Sequence, residues 1–446
     1  MLRLRTSYKQ IITISLPIML GSAVQNIVAL TDSIFLYHHS ETDFAAMGFA
    51  GVFYLVIAAI GFGFSKGGQI MIARRAGEAD TQGVGRSFYA MLYFSLILAL
   101  VMFLFMQYGA QHVFRLFVQT PGIYEKSLEY LVPRSYGIFF SYLGVSLIAL
   151  YTGIARTAFI VIDTIILAVV NGILCYALVF GHWGLPAMGI AGAGLASTIA
   201  EVVAFVVFII YILLDKHVRK FHLFAWPQIS LRLIGQLLSL SSPVVVQSIV
   251  GLGSWFIFFG VIENMGERAL AVSNVGRIVY LILSIPVWGY ATGINTLVSQ
   301  FIGMQKRQAV VPLILKTAKI TLVSTMTIAL PVIFLPKFFL YPLFGGTDLS
   351  ILTDAQPLLL LLIVILGLFS FGGIYFNGLS GTGATGKALF VQLVCSVVYI
   401  AYIFIAVNVV HASLLWVWGA EIAYWLVAIA LTHWYLFSRR WYGMEV

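Results

Sequence analysis

Long apolar runs separated by short polar stretches occupy almost the whole chain. A membrane-spanning helix needs about 20 mainly apolar residues, and twelve runs meet this length. They cover approximately residues 11–37, 44–73, 87–107, 127–151, 158–180, 185–214, 236–262, 269–301, 310–335, 354–377, 387–408 and 412–437. The connections between them are short and leave no room for an inserted soluble domain. The pattern therefore predicts an all-α polytopic membrane protein with twelve transmembrane helices.

The second half of the chain repeats the first. When the sequence is shifted by 226 positions, the halves align without gaps over roughly 70 residues. Apolar identities arise easily by chance in membrane chains, so the coincident proline, glycine, tyrosine and glutamate positions carry the comparison. These are Pro17 and Pro243, Tyr54 and Tyr280, Gly63 and Gly289, Gly67 and Gly293, Gly77 and Gly303, and Glu41 and Glu267. A repeat of six spans predicts two six-helix bundles related by an axis along the membrane normal.

The longest polar connection lies midway along the chain and separates these halves. We therefore expect an N-terminal six-helix bundle over residues 1–214, a cytoplasmic linker over 215–235, and a C-terminal six-helix bundle over 236–446. Paired bundles of this kind usually enclose a central cavity and work by alternating access.

Composition narrows the function classes. The chain is 61% hydrophobic and 9% charged, whereas soluble domains carry about 25% charged residues. Soluble enzymes and nucleic-acid binders are therefore excluded, and the net charge of +9 is too dispersed to follow a phosphate backbone. Its two cysteines, Cys175 and Cys395, give neither a disulfide framework nor metal-ligand spacing.

The distribution of basic residues predicts the orientation. Of 25 Lys and Arg residues, 18 belong to one set of loops and four to the opposite set. Cytoplasmic loops carry the excess of Lys and Arg, so both termini and the linker are expected to be cytoplasmic. We expect a multi-pass protein of the cell inner membrane, with the lipid bilayer as its surroundings.

Four stretches of the chain resemble the multidrug and toxic compound extrusion (MATE) family, within the wider superfamily of multidrug, oligosaccharide-lipid and polysaccharide exporters. The stretches are residues 15–36, 61–78, 170–198 and 377–389. Their order and spacing extend the resemblance over nearly the whole chain. The resemblance implies a V-shaped pair of six-helix bundles. It also implies outward antiport of amphiphilic, often cationic compounds against inward protons or sodium.

Asp32 is the leading candidate for the coupling residue, because an ionisable group inside a span is costly and is commonly functional. The resemblance implies a polar cluster around it, formed by Asn171, position 175 and Ser197. Sodium-type members carry a second carboxylate where this chain has Cys175. A thiol is a poor ligand for a hard cation, so proton coupling is favoured; the alternative is a Na⁺ ion at Asp32, the one metal considered for the site.

Lys66 and Gln25 are candidate cavity residues of the first half. Lys66 lies about two turns from Arg74 inside the second span, where it either exchanges protons, repels cationic compounds or reaches the interface by snorkelling. Gln25 precedes Asp32 by seven residues and so lies on nearly the same helix face. Its alternative role is a hydrogen bond between helices.

The candidate cavity residues of the second half are aromatic, amide and basic side chains, which suit flat amphiphilic ligands. They are Gln247, Trp255, Arg277, Trp288 and Asn295. Packing or lipid contact is the alternative for each tryptophan. Arg277 either pairs with Glu263 or Glu267 or faces the cavity.

Two further acidic residues, Glu201 and Glu421, occupy roughly similar places in the two halves. We expect both to be structural partners of basic side chains. Position 251, where some proton-type relatives carry an acid, is Gly251, so acid-based coupling is expected in the first half.

A secondary active antiporter that exports amphiphilic or toxic compounds is thus the leading interpretation. A flippase or exporter of a lipid-linked or anionic amphiphilic substrate is the alternative, and another twelve-span transporter superfamily comes third. An enzyme is not expected, because the chain has no Ser/His pairing, metal-spaced His cluster or nucleotide-binding loop. We expect no cofactor beyond H⁺ or Na⁺, no nucleic-acid partner, and a monomer.

Overall fold

The computed structural model describes residues 7–118, 120–223, 230–341 and 350–443, with backbone alone at Gln25, Asn26, Ala29, Leu30 and Lys337. The described residues form helices joined by short turns and contain no strand. The first seven helices are α1 (Tyr8–His39), α2 (Glu41–Gly77), α3 (Thr81–Leu104), α4 (Ala110–Phe117), α5 (Pro121–Gly153), α6 (Ala158–Phe180) and α7 (Gly189–Leu214). The next are α8 (Leu231–Glu263), α9 (Glu267–Leu283), α10 (Ile285–Gly303), α11 (Val310–Phe334), α12 (Pro336–Phe339), α13 (Ser350–Gly381), α14 (Thr385–Phe404) and α15 (Leu414–Phe437).

Each predicted apolar run falls on one of these helices or on a pair of them. Within the described part of the chain, ten helices are long and apolar enough to cross a membrane. The pair α9 and α10 forms a further candidate span, bent by 44°. The bend lies at Ser284, and Pro286 occupies the first turn of α10, where its missing N–H costs nothing. The prediction of an all-helical, multi-pass membrane protein is confirmed.

The chain divides into two compact units. The first unit contains residues 1–19 and 246–446, and the second contains residues 20–245. Both boundaries fall inside a long helix, α1 or α8, two residues after its internal proline, Pro17 or Pro243. The boundaries are 226 residues apart, which is the shift that aligns the two halves of the sequence.

Within the second unit, α5 packs against α2, α3 and α7, and α6 packs against α7. Glycine lets the early part of α8 approach α2 closely. A Cβ atom on Gly63 would lie 2.7 Å from Val245 Cγ2, and one on Gly67 would overlap Ser241. Helix contacts of this kind require a residue without a side chain.

Within the first unit, α13 is the central helix and packs against α9, α10, α11 and α15. The start of α1 approaches α10 in the same manner as α8 approaches α2. A Cβ atom on Gly289 would overlap Met19, and one on Gly293 would overlap Ser15. These contacts are the repeat equivalents of Gly63 with Val245 and Gly67 with Ser241, so the structural repeat follows the sequence repeat.

Candidate functional site

Four polar side chains from three helices meet in the interior of the second unit. Asp32 lies on α1, Asn171 and Cys175 lie one turn apart on α6, and Ser197 lies on α7. Their spacing on α6 places Asn171 and Cys175 on the same helix face. Asp32 is 4% exposed, Asn171 is 1% exposed and Cys175 is fully buried, whereas Ser197 is half-buried.

Hydrogen bonds join the four side chains into one network. Asn171 Nδ2 donates to Asp32 Oδ1 over 2.7 Å, and Ser197 Oγ lies 3.4 Å from Asp32 Oδ2. Ser197 Oγ also donates to Asn171 Oδ1 over 3.0 Å. The Cys175 thiol hydrogen-bonds to the Asp32 carboxylate. The structure thus brings together the cluster that the sequence resemblance implied.

The wall around this network is apolar. It contains Leu36 of α1, one turn after Asp32, together with side chains of α2, α5, α6 and α7. Its other buried apolar members are Ala46, Ala50, Tyr130, Leu178, Val179, Ile190, Ala193 and Ala196. A carboxylate in such surroundings is poorly solvated, which strengthens every interaction that it makes.

The nearest basic group is already committed to another acid. Arg134 of α5 forms a bidentate ion pair with Glu201 of α7, with N–O distances of 2.6 and 2.7 Å, and its guanidinium lies 3.9 Å from the centre of the Tyr54 ring. The Arg134 and Glu201 side chains are 8% and 13% exposed. The charge of Arg134 acts on Asp32 but does not form an ion pair with it. The expectation that Glu201 pairs with a basic residue is met.

The chemistry of the cluster suits a small cation or a proton. Asp32 supplies one negative charge, and Asn171 and Ser197 each supply a neutral oxygen. The groups that face the carboxylate are an amide N–H, a hydroxyl and a thiol, which are hydrogen-bond donors. The described residues contain no group of three or more His, Cys, Asp or Glu side chains that could hold a metal ion.

The other two candidates of the first half are Lys66 and Gln25. The Lys66 side chain on α2 is half-buried and has an interaction partner. Gln25 lies outside the residues whose side chains are described. The proposed contribution of Gln25 to a cavity therefore stays a prediction.

In the first unit, two of the predicted cavity residues serve as links between helices. Gln247 Nε2 donates to Thr385 O over 3.1 Å, which joins α8 to α14. Asn295 is fully buried, and its Nδ2 donates to Asn377 O over 3.3 Å between α10 and α13.

Trp288 differs from these two amides because it is 54% exposed. It packs edge-on against Phe369, with ring centres 5.5 Å apart.

Arg277 takes neither of the predicted acidic partners. Its guanidinium lies 5.2 Å from the centre of the Phe259 ring, and in the described part of the chain no carboxylate oxygen pairs with it. The expected pairing with Glu263 or Glu267 is therefore wrong, because the Arg277 side chain on α9 lies against the Phe259 ring of α8.

Glu421 of α15 is the residue whose surroundings the sequence misjudged. It is 4% exposed, and its Oε1 accepts hydrogen bonds from Tyr399 Oη over 3.0 Å and from Trp255 Nε1 over 3.2 Å. The expected basic partner is missing among the described residues. Its position inside a predicted span already indicated a candidate functional residue, since a carboxylate there is costly unless it is paired or functional.

A separate cavity of about 850 Å³ lies in the second unit beside the connection between α2 and α3. Arg75, Arg86 and Arg232 line it together with Asp80. Arg75 Nη1 donates to Glu78 Oε2 over 2.9 Å, so part of this positive charge is neutralised locally. The Asp32 network does not line this cavity.

Comparison with known proteins identifies the family. The MatE family model matches the chain twice, over residues 17–177 and 243–405. The two matches begin 226 residues apart and together cover more than half of the chain. The chain belongs to the MatE family. This confirms the resemblance drawn from the sequence and agrees with the expectation of a membrane transporter that is not an enzyme.

Curated relatives are similar over different lengths. A probable multidrug resistance protein NorM of Thermotoga maritima is 24% identical over 448 residues, covering 97% of this chain and 93% of that protein. The NorM protein of Agrobacterium fabrum is 29% identical over 220 residues, covering 49% of this chain. In that comparison the chain spans 46% of the relative, about half of its length.

Solved structures share the fold. A transporter of the MOP superfamily from Pyrococcus furiosus superposes with a TM-score of 0.86 at 21% identity, covering 98% of this chain and 97% of that one. An outward-facing multidrug resistance MATE family transporter superposes with a TM-score of 0.84 at 20% identity, covering 97% of this chain and 95% of that one.

Proposed function

We propose that this chain is a secondary active antiporter that exports amphiphilic organic compounds from the cytoplasm in exchange for protons, by alternating access. The observation that carries the proposal is the buried network around Asp32. In a member of a transporter family, a carboxylate that is 4% exposed and held only by neutral groups is suited to bind and release a small cation.

The proposed arrangement in the membrane has twelve spans. We assign them to α1, α2, α3, α5, α6, α7, α8, the bent pair α9 and α10, α11, α13, α14 and α15. The bundles are residues 1–214 and 236–446, joined by the cytoplasmic linker 215–235. Both termini face the cytoplasm of a cell whose inner membrane holds the protein as a monomer.

Protons are favoured over sodium by the donors that face Asp32. A bound sodium ion needs several oxygen ligands, whereas Asn171 presents its N–H group to Asp32 and Cys175 presents a thiol. Protonation of the carboxylate needs none of these extra ligands. It also removes a charge from apolar surroundings, which offsets the cost of burial.

Arg277 supports one alternative function. Its guanidinium rests on an aromatic ring without a carboxylate partner in the described part of the chain, and Arg is well suited to bind phosphate. A flippase or exporter of an anionic or lipid-linked amphiphile is therefore the second candidate.

Antiport in proteoliposomes under independently imposed proton and sodium gradients tests the proposal. A pH gradient should drive export of a cationic dye by the wild-type protein, and Asp32→Asn should lower the rate at least tenfold. Asp354→Asn is the matched control, because it removes an exposed carboxylate that pairs with Arg268.

Three results contradict the proposal. Export driven by sodium at clamped pH would replace protons as the coupling ion. Asp32→Asn with wild-type transport would remove Asp32 from the mechanism. Transport of lipid-linked phosphates in place of cationic dyes would favour the flippase.

A further inference from the structure

Glu421 is a buried acid that the proposed mechanism does not use. It lies on α15, two turns after the helix begins at Leu414, and it is 4% exposed. Its neighbours Trp418, fully buried, and Tyr399, 2% exposed, belong to the main apolar cluster of the first unit. A carboxylate here has lost nearly all of its contact with solvent.

No positive charge compensates this carboxylate. Among the described residues, no Lys, Arg or His nitrogen lies within 4.0 Å of it, and Arg277 lies against Phe259. The titratable groups that face it are phenols: Tyr280 from α9, Tyr399 from α14 and Tyr424 from α15. Two indoles also face it, those of Trp255 from α8 and Trp425 from α15. This contrasts with Glu201, whose charge is balanced by Arg134.

The groups that contact Glu421 select for a proton. Trp255 and Tyr399 both donate to Oε1, and an indole N–H cannot turn into a ligand for a metal ion. Sodium would find one carboxylate and no carbonyl oxygen among these contacts. A proton on Oε2 leaves both donors satisfied and converts a costly buried charge into a neutral acid.

Aromatic rings hold the two donors in place. The Trp255 ring lies 5.7 Å from Tyr280, and the Tyr399 ring lies 5.7 Å from Phe258 and 5.9 Å from Tyr424. Trp255 and Tyr424 are themselves half-buried, whereas Glu421 is buried. The site is therefore fixed in geometry.

We propose that Glu421, with Tyr399 and Trp255, is a second proton-binding site, and that each transport cycle carries one proton on Asp32 and one on Glu421. The coupling of Glu421 to the transport cycle rests on the proposed function. In each cycle a proton adds to Oε2 of Glu421 and later returns to water, with no other bond formed or broken.

Infrared difference spectroscopy of the purified protein tests the site without transport. Between low and high pH, the wild-type protein should show the carbonyl band of a protonated buried carboxyl group, and Glu421→Gln should lose one component of it. Glu263→Gln, which changes an exposed glutamate, is the control and should keep the whole band. Tyr399→Phe keeps the acid but removes one donor to its charged form. It should move the transition to higher pH by about half to one unit.

Proton counting in proteoliposomes tests the coupling. Proton uptake per exported dye molecule should fall by about half in Glu421→Gln and stay unchanged in Glu263→Gln. An unchanged ratio or an unchanged band in Glu421→Gln overturns the proposal, even if proton-driven export is confirmed. If export proves independent of protons while the Glu421 band is present, the proposed function fails and the proton site stands. Should Glu421→Gln not fold, the Tyr399→Phe shift decides, and its absence overturns the proposal.

Discussion

Gly137 provides the sharpest test of how the second unit protects its buried ion pair. It lies on α5, one turn after Arg134, and it faces the Arg134–Glu201 pair. A Cβ atom at this position would lie 2.5 Å from Arg134 Nη1 and 2.6 Å from Glu201 Oε2. Both distances are shorter than any ordinary contact, so Gly137→Ala must displace at least one of the two charged groups.

The expected loss of folding stability in Gly137→Ala has two contributions, the inserted methyl group and the disturbed ion pair. Inserting a methyl group into a packed interior costs about 1–3 kcal/mol, and full loss of a buried ion-pair partner costs about 3–5 kcal/mol. A partial displacement therefore predicts destabilisation of about 2–4 kcal/mol. At roughly 2–4 °C per kcal/mol, the melting temperature should fall by roughly 5–15 °C.

Gly144→Ala is the matched control because it lies on the same helix and its added Cβ atom meets nothing within 4 Å. Both variants gain the same helix propensity, about 0.5–1 kcal/mol, so the difference between them isolates the clash. The measurement is thermal unfolding of the purified protein in detergent, followed by tryptophan fluorescence. If Gly137→Ala melts at the same temperature as Gly144→Ala, the ion pair is not confined as described.

Two further predictions concern the Asp32 network and the end of α7. Cys175→Asp should make export respond to a sodium gradient, because a second carboxylate beside Asp32 supplies the charge and oxygen that a hard cation requires. The control Cys175→Ser should not respond to sodium. Sodium-insensitive export by Cys175→Asp would contradict the prediction. At Asp215, burial alone would raise the pKa, but hydrogen bonds from His217 N and Tyr151 Oη and the charge of Arg156 outweigh it and hold the pKa below its usual value. The stabilisation from Asp215 is therefore present above the unfolded pKa, about 3.9, and is lost as pH falls through the lower folded pKa. Asp215→Asn should consequently reduce the fall in melting temperature at the acid end of a series measured from about pH 3 to 7.

Hydropathy and periodicity predicted the helices because a membrane span leaves a strong signal in one dimension. The twelve apolar runs fall on the observed helices, and the repeat seen in Gly63, Gly67, Gly289 and Gly293 reappears as matched close contacts. The bend in the eighth run follows from local chemistry, since Pro286 begins a new helix after Ser284.

Contacts between helices could not be predicted in the same way. The pairing of Arg134 with Glu201 joins residues 67 positions apart, and nothing in either helix alone gives their relative rotation. The Asp32 network follows from the family resemblance, whereas no resemblance points to Glu421, and the basic partner expected for it is missing from the described part of the chain.

The buried acids differ in what balances their charge, and we propose that this difference separates structural from functional roles. Glu201 has a bidentate guanidinium partner, and the pair holds α5 to α7. Asp32 and Glu421 are as well buried but are held by an amide, hydroxyls, a thiol and an indole, none of which carries a positive charge. Only an incoming cation can neutralise these two carboxylates. We therefore propose that Asp32 and Glu421, two buried acids without a fixed counter-ion, couple ion movement to transport.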